Sequence, residues 1–172
     1  MRSGRVFDAA APESLLMPEH SNTPPGPEPA DEIARLVAAL ALEAHPEGGY
    51  FRETWRSEAV DGDGRASGTA IHFLLPEGVE NRWHRVDAAE IWHHYAGGPL
   101  ELSISRDGHA VERVALGPHV LEGESPQAIV PPGAWQRARA LDRWALCGCT
   151  VSPGFLFDRF ELAPKDWTPS EA

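Results

Sequence analysis

Short runs of bulky and apolar residues, broken by polar Gly/Pro turns, recur along most of this chain and predict strands; Leu100 to Ser105 alternates apolar and polar positions. Tyr50 to Arg56 is a run of bulky residues that reads as a first strand. Thr69 to Leu75 reads as a second, stopped by Pro76-Glu77-Gly78. Further short strands are predicted over 81–86, 90–95, 100–105, 111–116, 127–130, 136–140, 144–151 and 155–162. Turn clusters separate them: His45-Pro46-Glu47-Gly48-Gly49, Val60-Asp61-Gly62-Asp63-Gly64, Gly97-Gly98-Pro99 and Arg106-Asp107-Gly108. Many short strands with Gly/Pro turns between them indicate an all-β sandwich or barrel. The spacing changes only once. Ile33, Leu36, Val37 and Leu40 recur at helical intervals behind Asp31, a good N-cap, and the helix should end before Pro46. No βαβ alternation and no internal repeat occurs.

Upstream of the helix the pattern is lost. Residues 1–30 hold Pro12, Pro18, Pro24, Pro25, Pro27 and Pro29, a density that opposes helix and sheet alike. We expect a loosely packed tail over 1–30 and a single domain over 31–172, a length that suits one core. The net charge of −11 and pI near 5.1 argue against nucleic acid as a partner, because an acidic chain repels phosphate. No apolar run reaches the length of a membrane span, and the first residues lack the apolar centre of a secretion signal. A cytoplasmic protein is the expectation. The two cysteines, Cys147 and Cys149, flank Gly148 in an apolar run and should face the same way as small buried thiols.

The candidate chemistry lies on the middle strands. His84 and Glu90 are separated by a short turn, Asp87-Ala88-Ala89, so that two strands can aim both side chains at one point. Imidazole and carboxylate suit a divalent first-row metal, and Gln136 would add a neutral oxygen. The same residues suit a hydrogen-bonded pair that fixes a loop. In Glu90-Ile91-Trp92-His93-His94-Tyr95, strand alternation puts Glu90, Trp92 and His94 on one face and Ile91, His93 and Tyr95 on the other, unless a bulge intervenes. His72 faces away from Ile71 and Phe73, either into a cavity beside small Ala70 or into structural packing. Trp83, Trp92 and Trp135 could wall a small-molecule pocket, and Arg52 could hold an anionic group.

The stretches HPEGGYFRETWRS at 45–57, TAIHFLLPEG at 69–78, HRVDAAEIWHHYAGGPLEL at 84–102, IVPPGAWQRA at 129–138 and SPGFLFDRFELA at 152–163 resemble the cupin superfamily, and within it the DUF985 (cupin 5) family. The resemblance spans most of residues 31–165. It implies a double-stranded β-helix, the cupin jelly-roll barrel, with one N-terminal helix. Cupins at large bind a metal through two histidines and a glutamate in one motif and a histidine in a second. Carried onto this chain, those positions are His84, Val86, Glu90 and Gln136. The resemblance therefore implies at most a weak site, His84/Glu90/Gln136, for a divalent ion such as Ni, Fe, Mn or Zn. It also brings in the metal-free cupin epimerases, which pair a His base with a Tyr acid; His84, His94 and Tyr95 supply that chemistry here. Cupins of this type commonly form homodimers by exchanging N-terminal strands, for which 50–56 is the natural contributor. The functional expectation is proton transfer on a polar, sugar-like or carboxylate metabolite, as in an isomerase or epimerase. The alternative is a barrel that binds or senses a ligand without turning it over.

Overall fold

The computed structural model describes residues 29–170. The tail expected over 1–30 lies outside these residues but for its last two, which belong to a helix. That helix, α1, covers Pro29–Leu40 and so starts before the expected Asp31. Proline is tolerated in a first helical turn because its missing N–H would have no partner there. Asp31 and Glu32 follow in the same turn, where the helix dipole favours acids.

Eleven strands follow among the described residues: β1 (Glu43–Ala44), β2 (Tyr50–Arg56), β3 (Thr69–Leu75), β4 (His84–Val86), β5 (Ala89–Gly97), β6 (Leu100–Ser105), β7 (Glu112–Leu116), β8 (Gln127–Val130), β9 (Trp135–Ala140), β10 (Ala145–Ser152) and β11 (Phe160–Leu162). The order in one sheet is β1-β2-β3-β10-β5-β8 and in the other β11-β4-β9-β6-β7. Every pairing of named strands is antiparallel. The two sheets face each other as an all-β jelly roll, and their inner faces share one core that includes Phe73, Leu75, Trp92, Leu100, Leu102 and Cys147.

Strands β2, β3, β6 and β8 keep the bounds expected from the residue pattern. The strand expected over 155–162 does not form as one. Its first half is loop and a 3-10 turn at Phe157–Arg159, and only β11 pairs with β4. The aromatics Phe155, Phe157 and Phe160 of this segment pack edge to face on one another instead of alternating between sheet faces. Strand β2 sits in its own chain's sheet, paired with β3 along its length and with β1 on its other edge.

Two registers carry the site. His84 pairs directly with Gln136 across β4 and β9. Glu90 pairs with Val130 and with Val151 across β5, β8 and β10. One face of each sheet thus delivers a polar group to the same end of the interior.

Candidate functional site

The site starts from a turn. His45 to Gly49 closes on itself through His45 N–H to Gly49 O and Gly48 N–H to His45 O, both 3.0 Å. Gly48 and Gly49 have positive φ, and a Cβ on Gly49 would lie 2.8 Å from the Leu74 carbonyl oxygen. Only glycine lets this turn press so closely on β3. The turn is tied across to the segment before β4 by Arg82 N–H to Glu47 O at 2.8 Å. The result is that Glu47, a turn residue in sequence, points into the barrel and is only 6% exposed.

There it meets His84. Nδ1 of His84 lies 2.8 Å from the Arg82 carbonyl oxygen and 3.1 Å from Oε2 of Glu47. A carbonyl can only accept, so Nδ1 carries the proton and Nε2 of the neutral ring is left as an acceptor. The other Glu47 oxygen accepts from Asn81 Nδ2 at 2.8 Å, and Asn81 Oδ1 accepts from Ala138 N–H at 2.6 Å. Glu47 is thus positioned by a buried amide that is itself bonded to β9. Desolvation raises Glu47 to about 8, against the lesser opposing effect of Asn81. Burial likewise holds His84 below its ordinary value, with Glu90 and the Arg82 carbonyl pulling the other way. His45, which accepts the Glu47 N–H at Nδ1, is lowered to about 4 by burial and then by His84.

Glu90 completes the acid-base set from the opposite sheet. Burial raises it, His84 lowers it and Glu47 raises it. Its Oε2 accepts from Gln136 Nε2 at 2.5 Å, while Gln136 Oε1 accepts from Trp92 Nε1 at 2.9 Å. Cys149 adds a hydrogen bond to Glu90, and burial, followed by the acids beside it, pushes that thiol well above its usual range.

His45, Glu47, His84, Glu90, Trp92 and Cys149 line a cavity of about 230 Å³. Its walls are mainly apolar: Phe51, Ile71, Phe73, Val86, Trp92 and Val151 among them, with Phe155, Phe157 and Phe160 at one side. Arg56 and Glu53 also line it and bind each other through two hydrogen bonds of 2.9 and 2.7 Å.

Of the expected site residues, His84, Glu90 and Trp92 line this cavity, and Gln136 stands behind Glu90. The others lie elsewhere. His94 donates from Nε2 to Gly98 O at 3.0 Å, near the end of β5. A register shift opposite Leu146 and Cys147 leaves Tyr95 without a pairing partner there; it lies over Gly148 on the outside of the six-stranded sheet, 55% exposed. His72 sits on that outer face too, edge-on to Tyr95, because Ile71 and Phe73 take the cavity side of β3. Arg52 pairs with His72 across β2 and β3 and shares its face. Trp83 and Trp135 pack on Trp167 of the C-terminal segment, with Arg137 and Arg85 over their rings. Glu47 and His45 were not anticipated. A Glu between a proline and two glycines carries no alternation signal, and the only hint was the length of the matching stretch around it.

The expected metal set does not fit this arrangement. Gln136 is fully buried, its oxygen already accepts from Trp92, and its nitrogen faces Glu90. Val86 occupies the remaining position with a side chain that has no donor atom. Among the described residues, no group of three or more His, Cys, Asp or Glu side chains is placed to hold a metal ion. No helix among them is long and apolar enough to cross a membrane.

Comparison with known proteins agrees with this architecture. A protein of Shewanella oneidensis, SO0799, superimposes with a TM-score of 0.72 at 36% identity, over 79% of this chain and 85% of that one. The uncharacterized yeast protein YML079W (Saccharomyces cerevisiae) is 29% identical over 91% of this chain and 86% of its own length. Oxalate decarboxylase from Bacillus subtilis shares the fold alone, with a TM-score of 0.53 at 17% identity over 69% of this chain and 29% of that one. The family model described as Cupin superfamily (DUF985) matches residues 34–163, and with the two-sheet jelly roll on the page this chain belongs to that family.

Proposed function

We propose that this cupin catalyses proton transfer between carbon and oxygen of a small molecule held in the barrel, as in an isomerase. The observation that carries the reading is the clamped imidazole: His84 Nδ1–H is fixed by Arg82 O and Glu47, which turns a neutral Nε2 toward the ligand. Nε2 takes a proton from the carbon next to a carbonyl. Glu90, whose burial favours the protonated carboxyl, gives its proton to the carbonyl oxygen, and an enol forms. The reverse step on another face or carbon returns both protons, so the product is an isomer and neither oxidant nor reductant is consumed. Glu47, on the far side of the ring, accepts from His84 Nδ1–H and so fixes the tautomer and orientation of the imidazole. No step runs through a metal.

Proton NMR in D2O tests this with enolisable carbonyl compounds. Exchange of the α-proton should be faster with the protein than with His84→Asn. Equal rates, with ligand bound in both, would leave a binding or sensing barrel. The proposal includes a homodimer: Trp55, Tyr95 and Ile129, exposed on the outer face of the six-stranded sheet, are side chains that a second copy would cover.

A further inference from the structure

We infer that the barrel selects a neutral, mainly apolar molecule of about the size of a substituted benzene, with a single carbonyl or hydroxyl end directed at His84 and Glu90. The inference rests on the proton-transfer reading for its orientation, and on the lining for its chemistry. It departs from the sugar-like or carboxylate metabolite expected from the sequence.

The polar atoms that could greet a polyhydroxylated ligand are already engaged. Trp92 gives its Nε1–H to Gln136 and so offers the cavity only its ring. Thr69 Oγ1 accepts the Phe155 N–H at 3.0 Å. Arg56 binds both oxygens of Glu53 and also donates to the Phe155 carbonyl oxygen at 3.3 Å, which fixes the aromatic segment at the cavity. What remains polar is gathered at one place, around Glu47, His84 and Glu90. A sugar would leave most of its hydroxyls against Phe51, Ile71, Phe73 and Val151, each without a partner.

Charge argues the same way. Among the described residues, the one Lys or Arg lining the cavity, Arg56, is neutralised by Glu53, and the ionisable groups at the polar end include two carboxyls. A ligand carboxylate would meet no free Lys or Arg among the described residues and would add a third acid. A carbonyl or hydroxyl oxygen instead accepts from the Glu90 carboxyl, and a hydroxyl also donates to His84 Nε2, at no charge cost. Size fits: an apolar cavity of about 150 Å³ holds benzene, and this one is about 230 Å³.

The test is calorimetric titration of the full chain with four probes: acetophenone, toluene, benzoate and glucose. Acetophenone should bind about tenfold or more tighter than benzoate or glucose. His84→Asn should weaken acetophenone several-fold and leave toluene unchanged, which separates the polar end from the walls. Ile71→Trp should block both, and competition between acetophenone and toluene on the wild type gives the same information should that variant not fold. Tighter binding of glucose or benzoate, or binding of none of the four, overturns the inference. Acetophenone that binds without deuterium entering its methyl group sinks the proton-transfer reading and leaves the ligand class standing. Exchange on a polar substrate with no acetophenone binding does the reverse.

Discussion

Oε2 of Glu47 lies 3.1 Å from Nδ1 of His84, both side chains buried, although a whole hairpin of sheet separates them in the chain. This contact defines the far side of the imidazole. Glu47→Gln keeps an oxygen for Asn81 but turns an amide NH2, a donor, toward His84 Nδ1–H in place of the accepting oxygen. We expect α-proton exchange to fall by about 100-fold with ligand affinity little changed, read as a loss in kcat against a steady KM. An equal loss in affinity would mean that Glu47 shapes the cavity only.

Stability should follow pH in a way set by the same buried groups. Glu47 is raised from 4.5 to about 8, so the folded protein keeps a proton that the unfolded chain has lost. Stability from this group therefore falls as pH rises from about 4.5 to about 8. His45 is lowered from 6.5 to about 4, so the unfolded chain takes a proton that the folded protein refuses. Stability from this group falls as pH drops from 6.5 to 4. These two effects offset between about 4.5 and 6.5, and above that window the Glu47 contribution falls by up to about 1.4 kcal/mol per pH unit. Urea unfolding from pH 4 to 9 measures it, and Glu47→Gln should flatten the limb above 6.5.

The Trp92–Gln136–Glu90 relay predicts a stability loss from a small change. Trp92→Phe keeps much of the ring but strips Gln136 Oε1 of its donor in a fully buried position. The expected cost is about 2 kcal/mol, a cavity and an unsatisfied acceptor together. Denaturant melts check it, and Trp92→Phe combined with Gln136→Leu should recover part of the loss.

Metal chemistry gives a contrast between wild type and a redesigned barrel. Val86→His with Gln136→His restores donors at both positions where the cupin pattern has histidines. That double variant should retain nickel or zinc near one equivalent after dialysis, while the wild type retains far less and its Tm is unmoved by EDTA. Tight stoichiometric retention by the wild type would overturn the geometric argument made from Gln136.

Two glycines separate backbone need from side-chain convenience. A Cβ on Gly97, at φ 91°, would lie 2.1 Å from the Trp144 carbonyl oxygen. Gly97→Ala should cost about 3 kcal/mol or prevent folding. A Cβ on Gly148 meets the Tyr95 hydroxyl end, an exposed side chain that can swing away. Gly148→Ala should cost about 1 kcal/mol or less by thermal melting.

The local residue pattern of Tyr50–Arg56, Thr69–Leu75 and Leu100–Ser105 determined strands and bounds by itself, and in Thr69–Leu75 also the apolar face of Ile71 and Phe73, because a period of two is a local property. The motif around His84, Glu90 and Gln136 was legible as well, and β4 and β9 do bring His84 opposite Gln136. What the sequence could not decide was which polar side chains share the interior. Tyr95 left the set because it keeps the face opposite Glu90 and Trp92, stacked with His93 on the outside of the sheet, and His72 because the apolar face of β3 proved to be the cavity wall. Glu47 entered it because a glycine turn folds across to Arg82, a contact between distant segments that no local period encodes. The same closure desolvates the two acids and two histidines together, so their protonation, and with it the chemistry of the site, is a property of the tertiary structure alone.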